Sequence, residues 1–336
     1  FLPDQLDVCS LDAAQAGLWK SANGGTYRLC GNYVQQNVCN WAVQADDPQE
    51  LCVSCRLTTV IPDLTQPNQQ SNWYKLEQAK RRLLYSLVNL SLPIASKEAD
   101  PERGLAFEFR TASTEPDAEP VLTGHANGTI TVNADEADDA EREKRRLQLH
   151  EPYRTVLGHL RHESGHYYWD RVLANDDARL ARFRELFGDE REDYGAALSR
   201  HYEQGAPADW QERFVSAYCS AHPWEDWAET WAHYLHLSDT LETAALSGVT
   251  LRPVRRDEPS LSARAHEPEN FDRMIRDWLA LTYVLNNLNR GLGLADAYPF
   301  VLSAPAIDKL RMVHDVIRAA PPAGINKSSA DLAQAV

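Results

Sequence analysis

The string "LRHESGHYYWD" (160–170) sets two histidines four residues apart, with a glutamate directly after the first. Positions i and i+4 share a face only on an α-helix, so the string dictates a local structure if its side chains are to converge on one ion. On such a helix His162 and His166 turn imidazole nitrogens to a common point, and Glu163 faces a water held there. The flanks predict that helix: Tyr153, Val156, Leu157 and Leu160 before the string, and Trp169 and Val172 after it, recur at helical spacing. The competing reading makes both histidines surface or structural residues, since such a string also arises by chance.

A catalytic zinc has three protein ligands and an open water position. An extended H-E-x-x-H-x-x-G-x-x-H pattern would need Gly at 169 and His at 172, where Trp169 and Val172 stand. Downstream, "EDWAE" presents Glu225 and Glu229, again at i and i+4. Acids among Trp224, Trp227, Trp231 and Tyr234 need a partner, and two carboxylates one turn apart repel unless a cation lies between them. Glu225 is therefore expected as the third ligand, with Glu229 accepting a ring N–H from a ligand histidine. A solvated helix face is the alternative for this pair. Asp170, at i+4 from His166, is placed to orient it. His159 reads as packing, and His222, His233 or His236 could supply a third nitrogen in place of Glu225. Cys219 reads as a buried thiol.

Five of the six cysteines lie in the first 55 residues. Cys30, Cys39, Cys52 and Cys55 end in "CVSC", whose two-residue gap lets both thiolates reach one ion. Disulfides are the alternative, but Cys-x-x-Cys is a cramped bridge, and zinc is the expected occupant. Cys9 lacks a partner at ligand spacing and reads as a free thiol. This module carries Lys20, Arg28 and Arg56 against seven acids, without the basic footprint of a nucleic-acid-binding ribbon. A structural or protein-docking role is expected of it.

The formal net charge of −15 repels nucleic acid and anionic membrane. No apolar run approaches the roughly 18 residues needed to span a bilayer. Reduced cysteines and the lack of a signal-like start give a cytoplasmic expectation. The chain begins at Phe1 and not Met, which leaves open whether an upstream segment was removed.

Along the chain, residues 1–64 form the metal-stapled module, with "IPDLTQPNQQSN" as a linker. A helix follows over Trp73–Leu92, then strands at 105–110 and 128–133 around the acidic loop "TASTEPDAEP". A helix, a break near Pro152 and the motif helix come next. Mixed helical segments are expected at 177–187 and 208–218, a helix opened by Pro223 running through His236, and two supporting helices near 271–294 and 305–320. Residues 65–320 thus form the main domain, and 321–336 a disordered tail. The fold class is α+β: a small zinc-ribbon module, then a mostly helical domain with a short sheet.

The strings "GTITVNADEADDAERE", "YRTVLGHLRHESGHYYWDR", "AHPWEDWAETWAHYLH" and "NNLNRGLGLADAYPFVL", with "YRLCGNY", "VCNW" and "LCVSCRL" before them, resemble the bacterial zinc-binding metallopeptidases that carry an N-terminal zinc ribbon. The resemblance covers nearly the whole chain. Members often carry a further cysteine pair upstream, absent or trimmed here. The motif helices also resemble gluzincins, in which a Glu-x-x-x-Asp/Glu helix follows the H-E-x-x-H helix. That implies Glu225 as ligand, Glu229 as the outer acid and Glu163 as general base. In the lethal-factor-like members a tyrosine seven residues before the ligand glutamate steadies the oxyanion, which corresponds to Tyr218. The strands around "GTITVN" would correspond to the gluzincin edge strand, against which an extended peptide can pair.

The resemblance implies a zinc metallopeptidase with one catalytic and one structural zinc, acting on a peptide or protein. Two other readings stay open: a catalytically silent zinc scaffold for protein interaction, and an amide hydrolase acting on a non-protein substrate.

Overall fold

The structure, a computed structural model, describes residues 9–11, 17–21, 24–112, 121–149, 151–255, 257–258, 260–262 and 269–320. The tail at 321–336, most of the acidic loop at 111–120 and the side chain of Cys9 lie outside the described residues. The architecture is α+β, a small Cys-bearing β-module followed by a helical domain with small sheets. By compactness the chain divides into two units, one ending at Glu163 and the other running Ser164–Ala319.

The first unit opens with four antiparallel strands in chain order: β1 (Cys9–Leu11), β2 (Trp19–Ser21), β3 (Thr26–Leu29) and β4 (Ala42–Gln44). Two one-turn helices, α1 (Gly31–Val34) and α2 (Val53–Arg56), each begin directly after a cysteine, Cys30 and Cys52. After β5 (Thr58–Val60) comes α3 (Gln69–Asn89), which starts inside the expected linker. Its buried face carries Leu76, Leu83, Leu84 and Leu87 at helical spacing, and also Glu77, Lys80 and Arg81. Buried charges are tolerated only when paired and hydrogen-bonded. Lys80 Nζ lies 2.9 Å from Glu77 Oε2 with both side chains fully buried, and it donates to the Ser54 carbonyl at 2.8 Å and to the Thr58 hydroxyl. Thr58 in turn donates to Glu77 at 2.7 Å, and Arg81 donates to the Val38 carbonyl at 2.7 Å. These bonds stitch α3 to the cysteine-bearing module.

A second sheet holds β6 (Ala106–Arg110), β7 (Gly124–Ala126) and β8 (Thr129–Asn133) in the order β5-β6-β8-β7. Strands β5, β6 and β8 run parallel, and β7 is antiparallel to β8. The alternating strings at 105–110 and 128–133 thus become β6 and β8. Of the strands around "GTITVN", β8 itself is interior and β7, paired with it, is the edge of this sheet. The reason is the Asn127-Gly128 pair, with φ of 48° and 83°, the positive values a tight two-residue hairpin demands.

Next come α4 (Asp139–Gln148) and α5 (Val156–Tyr168), separated around Pro152. Buried Glu136 gathers the cations at this joint. Arg154 Nη2 lies 3.0 Å from both its oxygens, Arg145 reaches Oε1, and His159 Nδ1 is 3.9 Å away. Burial pushes the Glu136 carboxyl up, and the charges of His159, Arg154 and Arg145 more than offset this, leaving it below the usual range. His159 therefore belongs to the ion cluster that pins the start of α5.

In the second unit α5 ends in a π-helical turn, Trp169–Leu173, followed by α6 (Asp177–Phe187), α7 (Tyr194–Gln204) and α8 (Pro223–Leu246). A short antiparallel pair, β9 (Thr250–Leu251) and β10 (Leu261–Ser262), precedes α9 (Phe271–Gly291) and α10 (Ala304–Ala319). Pro223 opens α8 as expected, but the helix runs past His236 to Leu246. Helix α7 buries only Ala197 and carries no apolar stripe to announce it, while the helix expected at 208–218 is reduced to 3-10 turns at Trp210–Glu212 and Tyr218–Ala221. Trp227 and Trp231 of α8 are fully buried; Tyr168 stacks on Trp231 with centroids 4.9 Å apart. Lys309 of α10 reaches Asp226 of α8 at 2.6 Å and the Arg213 carbonyl at 3.0 Å. Among the described residues, no helix is long and apolar enough to cross a membrane.

Two candidate metal centres

Cys30, Cys39, Cys52 and Cys55 are all buried, each offers its sulfur, and the four sulfurs lie within 4.8 Å of one another. All four are free thiols, with Cys39 Sγ 3.6 Å from Cys52 Sγ. The local fold aims backbone N–H groups at them: Trp41 donates to Cys39 Sγ at 3.4 Å and Cys52 to Cys30 Sγ at 3.3 Å. Hydrogen bonds from Cys39, Cys52 and Cys55 hold the Cys30 thiol far below its usual range, whereas complete burial pushes Cys52 up. Four thiolates at this spacing would suit a soft cation such as tetrahedral zinc.

The second cluster is carried by α5 and α8. His162, His166 and Glu225 each offer one ligand atom, all within 4.8 Å of one another. His166 Nε2 is 3.5 Å from Glu225 Oε1, and the glutamate side chain is 1% exposed. Glu225 sits in the first turn of α8, where the helix dipole favours a carboxylate. The two helices approach closely because residue 165 is glycine: a Cβ there would stand 2.8 Å from Ala228 Cα. Trp227 Nε1 donates to the Gly165 carbonyl at 3.0 Å, and Trp231 Nε1 to Ser164 Oγ at 3.1 Å. Glu163 is buried on the same helix. Two imidazoles and a buried carboxylate are a donor set that fits zinc with a position left open.

The other expected residues fall as follows. Tyr218 is half-buried in its 3-10 turn; burial and then the Glu225 charge push its hydroxyl well above the usual range, so it stays a proton donor. Glu229 Oε2 accepts the Ser216 hydroxyl at 2.7 Å. Asp170 stands exposed on the π-helical turn Trp169–Leu173. His222 caps α8 with both ring nitrogens engaged, His233 Nδ1 lies 2.7 Å from the Tyr298 hydroxyl, and His236 packs on Trp278 and Tyr298. None of these three joins the donor cluster. Cys219 is buried, as expected. Sequence reasoning missed Tyr194, whose hydroxyl donates to Glu225 Oε1 at 2.7 Å, and Ser216. Neither stands in a motif, and no spacing rule reaches across the 31 residues from Tyr194 to Glu225.

Fold and clusters together define a metal-binding α+β protein. Residues 69–316 match the family described as "Putative zinc-binding metallo-peptidase", and residues 1–66 match a zinc-ribbon domain. Uncharacterized proteins of Mycobacterium bovis and of two strains of Mycobacterium tuberculosis are each 44% identical over 301 residues, spanning 90% of this chain and 85% of theirs. No solved structure matches. The chain belongs to this zinc-binding metallopeptidase family, with a zinc ribbon at its N-terminal end.

Proposed function

We propose that the chain is a gluzincin-like zinc peptidase that hydrolyses peptide bonds in a peptide or protein substrate. The observation that supports this most is the convergence of His162, His166 and Glu225 within 4.8 Å, with Glu163 on the same helix as both histidines. When bound there, zinc would polarise the scissile carbonyl and lower the pKa of water to about 7. Glu163 takes the proton of the attacking water and returns it to the departing amine. Tyr218 donates its hydroxyl to the developing oxyanion. Glu229, steadied by Ser216, orients a ligand histidine. Cys30, Cys39, Cys52 and Cys55 hold a second, structural zinc in the ribbon, which leaves that module free for a protein partner.

Metal analysis tests the reading. The parent is expected to carry two zinc ions, His162→Ala to lose one and Cys52→Ser to lose the other. A parent with one zinc that survives His162→Ala would sink the peptidase assignment. Screening a peptide library with the parent beside Glu163→Gln then separates peptide hydrolysis from action on another amide.

A further inference from the structure

Tyr194 opens α7, and its hydroxyl meets Glu225 on Oε1, the oxygen that also faces His166 Nε2. A histidine delivers it there. His222 Nδ1 accepts the backbone N–H of Trp224 at 3.1 Å, capping α8. A neutral imidazole whose Nδ1 accepts carries its proton on Nε2. That nitrogen lies 3.2 Å from the Glu192 carbonyl and donates to it. One ring thereby fastens the residue three before Glu225 to the residue two before Tyr194. The Tyr194 ring meets His222 edge-on, with centroids 5.2 Å apart, and leans on Trp224 at 5.9 Å.

A carboxylate can offer a metal either oxygen, or both, and it rotates between these choices unless something holds it. We infer that Tyr194, set in place by His222, is a positioning residue for the metal: its hydroxyl fixes the Glu225 carboxylate in one orientation. This rests on the proposed ligand set of His162, His166 and Glu225. Outer partners of metal ligands typically change affinity by about 10- to 100-fold. Only the hydroxyl carries the role, so Tyr194→Phe keeps the ring packing and removes the bond.

The experiment uses the full chain and two probes, zinc in competition with a chelator and cobalt(II) followed by visible absorption. Tyr194→Phe is expected to weaken the histidine-site zinc by about 10- to 100-fold and to shift that site's cobalt bands. The ribbon zinc and the thiolate-to-cobalt absorption stay at parent values. His222→Asn keeps a capping acceptor but is too short to reach the Glu192 carbonyl, and should weaken the same zinc less. Parent-like affinity and spectrum in Tyr194→Phe would overturn the role of Tyr194 while leaving the ligand set standing. A parent-like His222→Asn beside a weakened Tyr194→Phe would overturn the part given to His222. If the parent holds only the ribbon zinc, the ligand set itself fails, and this role with it.

Discussion

The two donor clusters differ in closure. The four ribbon sulfurs belong to buried residues, and those of Cys39 and Cys30 take N–H bonds from their own loops, whereas His162 and His166 are only half-buried beside a buried Glu225. A closed tetrahedral set leaves no room for a reactant, so its metal contributes only to folding; a half-open set of three leaves a position for water and substrate. On the proposed reading, the difference teaches that ligand number and cover alone would set a stapling site apart from a reaction centre for the same ion.

The sharpest way to break the comparison is Cys52→Ser. Structural zinc in small domains is worth on the order of 10 kcal/mol of folding, so this variant should lose one zinc and the ribbon's amide dispersion in NMR spectra. The histidine-site zinc should stay. Glu163→Gln is the mirror case: two zinc ions retained, the melting curve unchanged, and peptide hydrolysis lowered by roughly 100- to 10,000-fold. Hydrolysis at the parent rate would show that the open centre is not catalytic through Glu163.

Lys80→Met tests whether the ribbon needs its footing on α3. Removing Lys80 leaves buried Glu77 with Arg81, 3.8 Å away, as its remaining cation and should destabilise the chain by up to about 3–5 kcal/mol, read as a lower denaturant midpoint. Glu77→Gln added to it should recover much of the loss. The smallest effect expected is in acid. The folded-state pKa of Glu136 lies below its unfolded value of about 4.3. Its contribution is therefore complete above that value and lost as pH falls through the folded pKa. Glu136→Gln should flatten that part of the stability profile between neutral and acid pH, measured by urea titration.

Much of this was legible in the sequence, for physical reasons that also set the limit. Helix α5 and the Glu225-Glu229 pair follow from a 3.6-residue period, which local spacing reports directly. The four cysteines read as one cluster because short Cys spacings leave few ways to converge. Tyr194 was illegible because α7 buries almost nothing, so its helix leaves no apolar stripe to find. Alternation in "GTITVN" says which faces the strand has and nothing of its neighbours; Asn127-Gly128 marks the hairpin that sets β7 beside it.

Gly165 has a consequence beyond packing. In an H-E-x-x-H string the two middle positions are written as free, yet here the second works as a feeler gauge between helices. The gap it sets brings His166 Nε2 to 3.5 Å from Glu225 Oε1. Zinc bonds to nitrogen and oxygen at about 2.0–2.2 Å, so a gap widened by one methyl group would suit a larger ion. On the proposed ligand set, the size of ion that fits would thus depend partly on a residue outside that set.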